Sequence, residues 1–160
     1  MMFVNADPKA RELTGRTAGS AEIAAARDTI SVSRVMVKRR ATFALETTLS
    51  GRYQLETARR FGYEIDLTFL CLDNPNLNQL WVAARVAPGG HNVPPADIHR
   101  RYARSLANLP VALSFAHRAR LVDNSAVPRL IARLDAGRCV WTCENVPGWA
   151  AAALRGARSA

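Results

Sequence analysis

The stretch Gly62–Pro75, with the sequence GYEIDLTFLCLDNP, contains the clearest strand of the chain and decides the fold class. Every second residue of this strand is apolar on one face: Ile65, Leu67, Phe69 and Cys71. Leu70 and Leu72 make the opposite face apolar near the strand's end. Burial on both faces is typical of a central strand in a parallel sheet that helices cover. The stretch therefore predicts an α/β protein, with Asp73–Pro75 ending the strand.

Strand and helix patterns alternate on both sides of this strand, through the first 125 residues. The predicted strands are Met2–Asn5, Thr42–Thr47, Tyr63–Leu72 and Arg120–Asp123. The predicted helices are Ser20–Lys38, Arg52–Phe61, Asn76–Val86 and Ala96–Phe115. This alternation predicts one domain over residues 1–160, built on a mostly parallel sheet flanked by helices.

The residues from 126 to 160 have a different pattern and form a less regular C-terminal extension. Arg129–Leu134 and Cys139–Cys143 flank the turn Asp135–Arg138, which predicts a C-terminal β-hairpin. The segment from Pro147 predicts a short alanine-rich helix that frays at the end of the chain.

Acidic residues lie at or just past the ends of the predicted strands: Asp7, Glu46, Asp73 and Asp123. In open parallel sheets, ligands bind outside the carboxyl ends of the strands. These carboxylates therefore mark the edge of the sheet at which we expect a functional site.

The charge of the chain is strongly positive, with a formal net charge of +9 and a pI of about 10.7. Twenty of the basic residues are arginines and two are lysines. Arginine suits two-pronged capture of phosphate oxygens, so charge leaves phosphorylated metabolites, nucleic acid and a solvated surface open. Aromatic residues make up 7% and do not interleave with the basic run, which argues against single-stranded nucleic acid.

Several classes of protein are disfavoured by the sequence. The three cysteines, Cys71, Cys139 and Cys143, have no histidine pair near them to complete a zinc set, so we expect reduced thiols and no metal site. No apolar run of about 18 residues occurs and the N-terminus lacks the pattern of a signal peptide. We therefore expect a cytoplasmic protein without a membrane partner.

Four motifs occur in order along the chain: FVNAD at Phe3–Asp7, FALETTLSG at Phe43–Gly51, RVAPGGHNVPPADIHRRYARSLANL at Arg85–Leu109, and VDNS at Val122–Ser125. Together they resemble the zeta-toxin-like P-loop kinases. The resemblance implies a P-loop kinase fold that uses ATP with Mg²⁺ to phosphorylate a small hydroxyl substrate, a UDP-activated amino sugar for the toxins themselves. It also implies an antitoxin-like protein partner.

The resemblance implies roles for individual residues. Asp7 matches the base acting on the substrate hydroxyl, Glu46 the acidic residue beside the phosphates or substrate, and Arg101 a catalytic arginine. The implied lid and phosphate contacts are Arg85, His91 and Arg104, and the implied substrate contacts are Thr47, Thr48 and Ser50. Carboxylates that orient a hydroxyl and arginines that stabilise transferring oxygens are what phosphoryl transfer requires.

Simpler structural interpretations of these residues stay open. Asp7 before Pro8 suits a helix N-cap, and His91 suits a residue that fixes its loop by hydrogen bonds. The basic stretch Arg100–Arg104 is equally compatible with a solvated helix face. Glu46 is harder to explain structurally, because a carboxylate after an apolar strand needs a partner or water.

The chain departs from the family in one respect, because it contains no G-x-x-x-x-G-K followed by Ser or Thr. In the family, a strand, this phosphate loop and a helix precede the FVNAD-like segment. We therefore expect an N-terminally truncated kinase domain. The truncation arises either because the assigned start codon lies downstream of the true one or because the gene has lost this block. We expect the 160-residue chain to have little or no kinase activity and to expose apolar sheet edges. The alternative is a non-catalytic basic module that binds nucleic acid or a protein.

Overall fold

The computed structural model describes residues 1–5, 18–86 and 93–156. The strands in these residues are β1 (Met2–Val4), β2 (Phe43–Leu45), β3 (Asp66–Cys71), β4 (Arg118–Asp123), β5 (Arg129–Asp135) and β6 (Arg138–Thr142). The helices are α1 (Ala18–Lys38), α2 (Tyr53–Arg60), α3 (Pro75–Val86), α4 (Pro95–Phe115) and α5 (Gly148–Arg155). The described chain is therefore an α/β protein, as the alternating pattern predicts.

The strands form two sheets, where the sequence predicts one mostly parallel sheet. β1 and β2 make a two-stranded parallel sheet, in which Val4 pairs with Leu45. The second sheet has the order β3-β4-β5-β6, and only its β3–β4 pair is parallel. The second sheet is mixed because the C-terminal hairpin folds back on β4, and a tight hairpin can only join antiparallel strands.

The predicted C-terminal hairpin is confirmed, and the conformation of its turn explains how two residues connect its strands. β5 and β6 pair antiparallel with Asp135 opposite Arg138. The two residues between them, Ala136 and Gly137, both have positive φ, 46° and 77°. A two-residue turn with both φ values positive matches the right-handed twist of the flanking strands, which fixes the register of the hairpin.

The core lies between one face of the second sheet and the helices α4 and α5. The apolar stripe of α4 buries Leu109, Ala112 and Leu113 completely, and the facing sheet residues include Leu121 and Ile131. The spacing of the stripe is that of one helix face, so α4 lies along the sheet rather than across its end.

The C-terminal helix α5 is part of this core, so the prediction of a frayed end is wrong. Trp149, Ala150 and Ala153 are all buried, and the Trp149 ring lies 5.9 Å from the ring of Phe69 between centroids. The small alanines allow the helix to approach closely, while the single tryptophan supplies most of the apolar area. An alanine-rich composition alone does not reveal this packing.

The opposite face of β3 is exposed, which contradicts the prediction that both faces are buried. Phe69 and Cys71 are buried on the side of α4, whereas Leu70 between them is 57% exposed. The apolar residues on both faces are present as predicted, but no described helix packs against the Leu70 side.

Truncation of the α4 stripe should destabilise the protein strongly. Leu113→Ala removes a fully buried side chain and leaves a cavity, so we expect a loss of about 2–5 kcal/mol in the free energy of unfolding. Leu80→Ala is the matched control, because Leu80 is a helical leucine that is 66% exposed, and should change stability by no more than about 0.5 kcal/mol. Urea denaturation measures both, and equal losses would contradict this placement of the core.

Candidate functional site at the carboxyl ends of the strands

Glu46 and Asn5 lie together at the carboxyl ends of β1 and β2. Each directly follows its strand, and because the strands are parallel both side chains come to the same edge. Asn5 Nδ2 donates a hydrogen bond of 2.8 Å to Glu46 Oε2, and the Glu46 backbone N–H donates to the Val4 carbonyl at 2.9 Å. Glu46 is exposed, so its carboxylate is held in one orientation while it stays open to solvent.

The loop after Glu46 presents hydroxyl groups and buries a leucine. Leu49 adopts a positive φ of 55°, a conformation that costs a non-glycine residue about 1–3 kcal/mol. This conformation places the Leu49 side chain in the core at 4% exposure. Thr47 Oγ1 accepts from the Leu49 backbone N–H at 3.2 Å, and the Thr48 and Ser50 hydroxyls lie 2.9 Å apart. The strained turn therefore holds three hydroxyls beside Glu46.

Helix α4 contacts this loop through Asn108. The Asn108 side chain donates from Nδ2 to the Leu49 carbonyl at 2.9 Å. Arg104 lies one helical turn before Asn108, and Arg101 lies a further three residues before it. Residues at these spacings share one helix face, which extends about 10 Å from Arg101 to Asn108. The two arginines therefore lie on the face of α4 that approaches the loop after Glu46.

A second contact fixes α4 at the end of β3. The Tyr102 hydroxyl donates to the Leu72 carbonyl at 2.9 Å and lies 3.2 Å from the Asp73 carbonyl. Burial raises the pKa of Tyr102, and the nearby Cys71 raises it further. Burial likewise raises the pKa of the Cys71 thiol to about 11, so this cysteine is a neutral packing residue and not a nucleophile.

Asp123 forms a hydrogen-bonded network at the end of β4. Its carboxylate accepts from the Ser125 hydroxyl at 2.6 Å, from the Ser125 N–H at 3.0 Å, and from Arg129 Nε at 3.1 Å. Ser125 Oγ in turn accepts from the Asp73 N–H at 2.8 Å. Burial raises the pKa of Asp123, but the Ser125 and Arg129 hydrogen bonds outweigh it and leave the pKa below its usual value. The network joins the ends of β3 and β4.

The predicted site residues fall into two groups. The first group lies in or beside one loop and consists of Glu46, Thr47, Thr48 and Ser50. Arg101 and Arg104 share the helix face of Asn108, which bonds to the Leu49 carbonyl of this loop. Asp7 and His91 lie outside the described residues, and Arg85 is placed in α3 without a described side chain. The sequence pattern did not single out Asn5 or Asn108, although Asn5 stands after β1 as Glu46 does after β2.

One further cleft is a weaker candidate for a functional site. An open cleft of about 390 Å³ lies at the amino ends of β3 and β4, where it is lined by Arg59, Tyr63, Phe115 and His117 among others. Arg59 stacks 4.2 Å above the Phe115 ring, and His117 Nδ1 accepts from the Ile65 N–H at 3.0 Å. The side chains of Arg59 and His117 thus make structural contacts within the fold.

Membrane-spanning and metal-binding features are absent from residues 1–5, 18–86 and 93–156. There, no helix is both long and apolar enough to cross a bilayer. The same residues contain no group of three or more His, Cys, Asp and Glu side chains that could hold a metal ion. Glu46 alone is a single carboxylate, which does not make a site for a resident metal.

The comparisons with known proteins leave the function open. No protein family matches the chain, and no solved structure matches it. A protein of Haemophilus influenzae described as uncharacterized is 26% identical over 104 residues, which cover 63% of this chain and 74% of the relative. This similarity carries no function, so any functional proposal has to rest on the chemistry of the site.

The network around Asp123 predicts a pH-dependent stability. Because the folded-state pKa of Asp123 is depressed, its stabilising effect is complete above the ordinary value of 3.8 and is lost as the pH falls through the folded pKa. Asp123→Asn should therefore reduce the free energy of unfolding by about 1–3 kcal/mol at neutral pH.

The measurement is urea denaturation of the wild type and Asp123→Asn across the range from neutral to acid pH. The difference in the free energy of unfolding between the two proteins should be constant at neutral pH. It should narrow only when the pH falls below the ordinary pKa of an aspartate. Asp135→Asn, at an exposed position of the same sheet, is the control and should have little effect at neutral pH. A difference that widens in acid would contradict this assignment.

Proposed function

We propose that the chain carries the acceptor-binding part of an ATP-dependent phosphotransferase that acts on a hydroxyl of a small phosphorylated substrate. The observation that carries the proposal is the Asn5–Glu46 pair, at the carboxyl edge where α/β proteins bind ligands. The resemblance to the zeta-toxin-like kinases supports the substrate class, a UDP-activated amino sugar.

The groups around Glu46 suit the acceptor side of phosphoryl transfer. Asn5 holds the Glu46 carboxylate in one orientation, and an exposed carboxylate at a fixed position can orient a substrate hydroxyl. The hydroxyls of Thr48 and Ser50 can bond a sugar. Arg104 is exposed on the neighbouring helix face and can pair with diphosphate oxygens in the two-pronged manner of arginine.

The residues of this chain do not supply the part of the site that would bind ATP, the phosphate donor. The sequence contains no phosphate loop, and neither of its lysines, Lys9 or Lys38, adjoins a glycine. ATP is the co-substrate that the resemblance implies, and we assign none of its contacts to this chain.

Substrate binding tests the acceptor half directly. UDP-N-acetylglucosamine should bind the 160-residue chain in a calorimetric titration, and Arg104→Ala should weaken the affinity about tenfold, as expected for loss of a charge-assisted hydrogen bond. Arg155→Ala is the matched control, because Arg155 is an exposed helical arginine in α5. Absence of binding, or equal weakening by both variants, would contradict the proposal. Salt-dependent binding of an oligonucleotide in its place would favour the nucleic-acid alternative.

Phosphoryl transfer by the 160-residue chain should be very slow. With Mg²⁺, ATP and UDP-N-acetylglucosamine, ³¹P NMR should show little or no new phosphate ester, because the sequence has no glycine-rich phosphate loop with its lysine to hold the transferred phosphate. The readout is the rate of ADP formation with and without the sugar nucleotide. Rapid turnover of ATP by the purified chain would show that another group holds the phosphates.

A further inference from the structure

The face of the second sheet that points away from α4 and α5 carries its side chains in three rows. Each row crosses neighbouring strands at one level of the sheet register. The rows consist of Asp66, Arg118, Asp135 and Arg138; of Thr68, Arg120, Arg133 and Trp141; and of Leu70, Val122 and Leu130. We call them the ion-pair row, the arginine row and the apolar row.

The charges of the ion-pair row compensate one another. Their sign alternates from strand to strand, and Arg118 donates from Nε and Nη2 to the two carboxylate oxygens of Asp66, both at 2.9 Å. Opposite charges on neighbouring strands stabilise a sheet, whereas like charges directly opposite each other destabilise it. At this level the sheet therefore places each arginine beside an acid.

The arginine row lacks this compensation. Arg120 of β4 and Arg133 of β5 lie directly opposite each other, and both side chains are exposed. Among the residues that the structure describes, neither guanidinium forms an ion pair with a carboxylate. The row thus holds two adjacent positive charges, and an anion bound between them would relieve their repulsion.

A β-bulge adds an aromatic ring to the arginine row. The register pairs Arg133 of β5 with Trp141 and leaves Val140 as an extra residue in β6. Without this bulge, Val140 would lie opposite Arg133. The Arg133 guanidinium carbon lies 5.5 Å from the centroid of the Trp141 ring, and Trp141 remains 38% exposed. Bulges often re-aim a side chain beside a functional site, and this one places an indole next to the two charges.

We propose that the arginine row binds single-stranded nucleic acid. Arg120 and Arg133 contact its phosphates, and a base stacks on the exposed ring of Trp141. Single strands are generally bound by positive charge that follows the phosphates and by aromatic rings that stack on the bases, and an open four-stranded sheet can carry both. The row crosses four strands and is about 14 Å long, so it accommodates a short stretch of nucleotides.

Other occupants fit the arginine row less well. A sheet face is flat, whereas small ligands bind in concave sites that enclose them. A second copy stacked on this face would bring its own arginines against the first pair and add to the repulsion. An acidic protein segment would pair with the arginines but would not explain the position of Trp141. The sequence alone did not reveal the row, because Arg120, Arg133 and Trp141 come from three different strands.

Fluorescence anisotropy with a short, labelled single-stranded oligonucleotide tests the role of the aromatic ring. The 160-residue chain should bind the strand, and Trp141→Ala should weaken the affinity about tenfold, as expected for the loss of one stacked base. Trp81→Ala is the matched control and should leave the affinity unchanged, because Trp81 is an exposed tryptophan of α3, outside the sheet. Trp141→Phe should retain most of the affinity, which separates stacking from an effect on folding.

The salt dependence of the affinity tests the two arginines. Arg120→Ala and Arg133→Ala should each reduce the slope of log K against log salt concentration by about 0.7, as expected for the loss of one phosphate contact with a single strand. Arg155→Ala removes an exposed arginine of α5 and should leave the slope unchanged.

Each outcome decides the proposal. Absence of binding, tighter binding of a duplex of the same sequence, or equal losses in Trp141→Ala and Trp81→Ala would overturn it. Displacement of the strand by polyglutamate that binds Trp141→Ala as well as the wild type would assign the row to an acidic protein segment instead. The inference does not rest on the phosphotransferase proposal, so Arg104→Ala should leave strand binding unchanged and Trp141→Ala should leave the binding of UDP-N-acetylglucosamine unchanged.

Discussion

The burial of one face of α4 against the β3–β4 pair is the interaction on which the rest of the structure depends. Leu109 and Leu113 are fully buried there, and this fixes both the rotation and the position of the helix. With the helix fixed, Tyr102 meets the end of β3 and Asn108 meets the loop after β2. Arg101 and Arg104, which share the helix face of Asn108, therefore owe their position to apolar packing rather than to their own charge.

Much of the fold could be predicted from periodicity, because alternation and helical spacing report which residues are apolar on each face. The predicted elements all appear near their expected bounds, and the hairpin follows from its turn residues. Periodicity does not report what covers an apolar face. For this reason the pattern predicts burial of Leu70, which is exposed, and fraying of α5, which is packed through Trp149.

Of the residues in the candidate site, the sequence could predict only those that directly follow the end of a strand. Glu46 could be placed because a carboxylate after an apolar strand lies at the ligand-binding edge of a sheet. Its partner Asn5 could not be identified, because their contact depends on the pairing of β1 with β2 across 41 positions of sequence. The Asn108 contact depends in the same way on how α4 packs, and no local pattern encodes it.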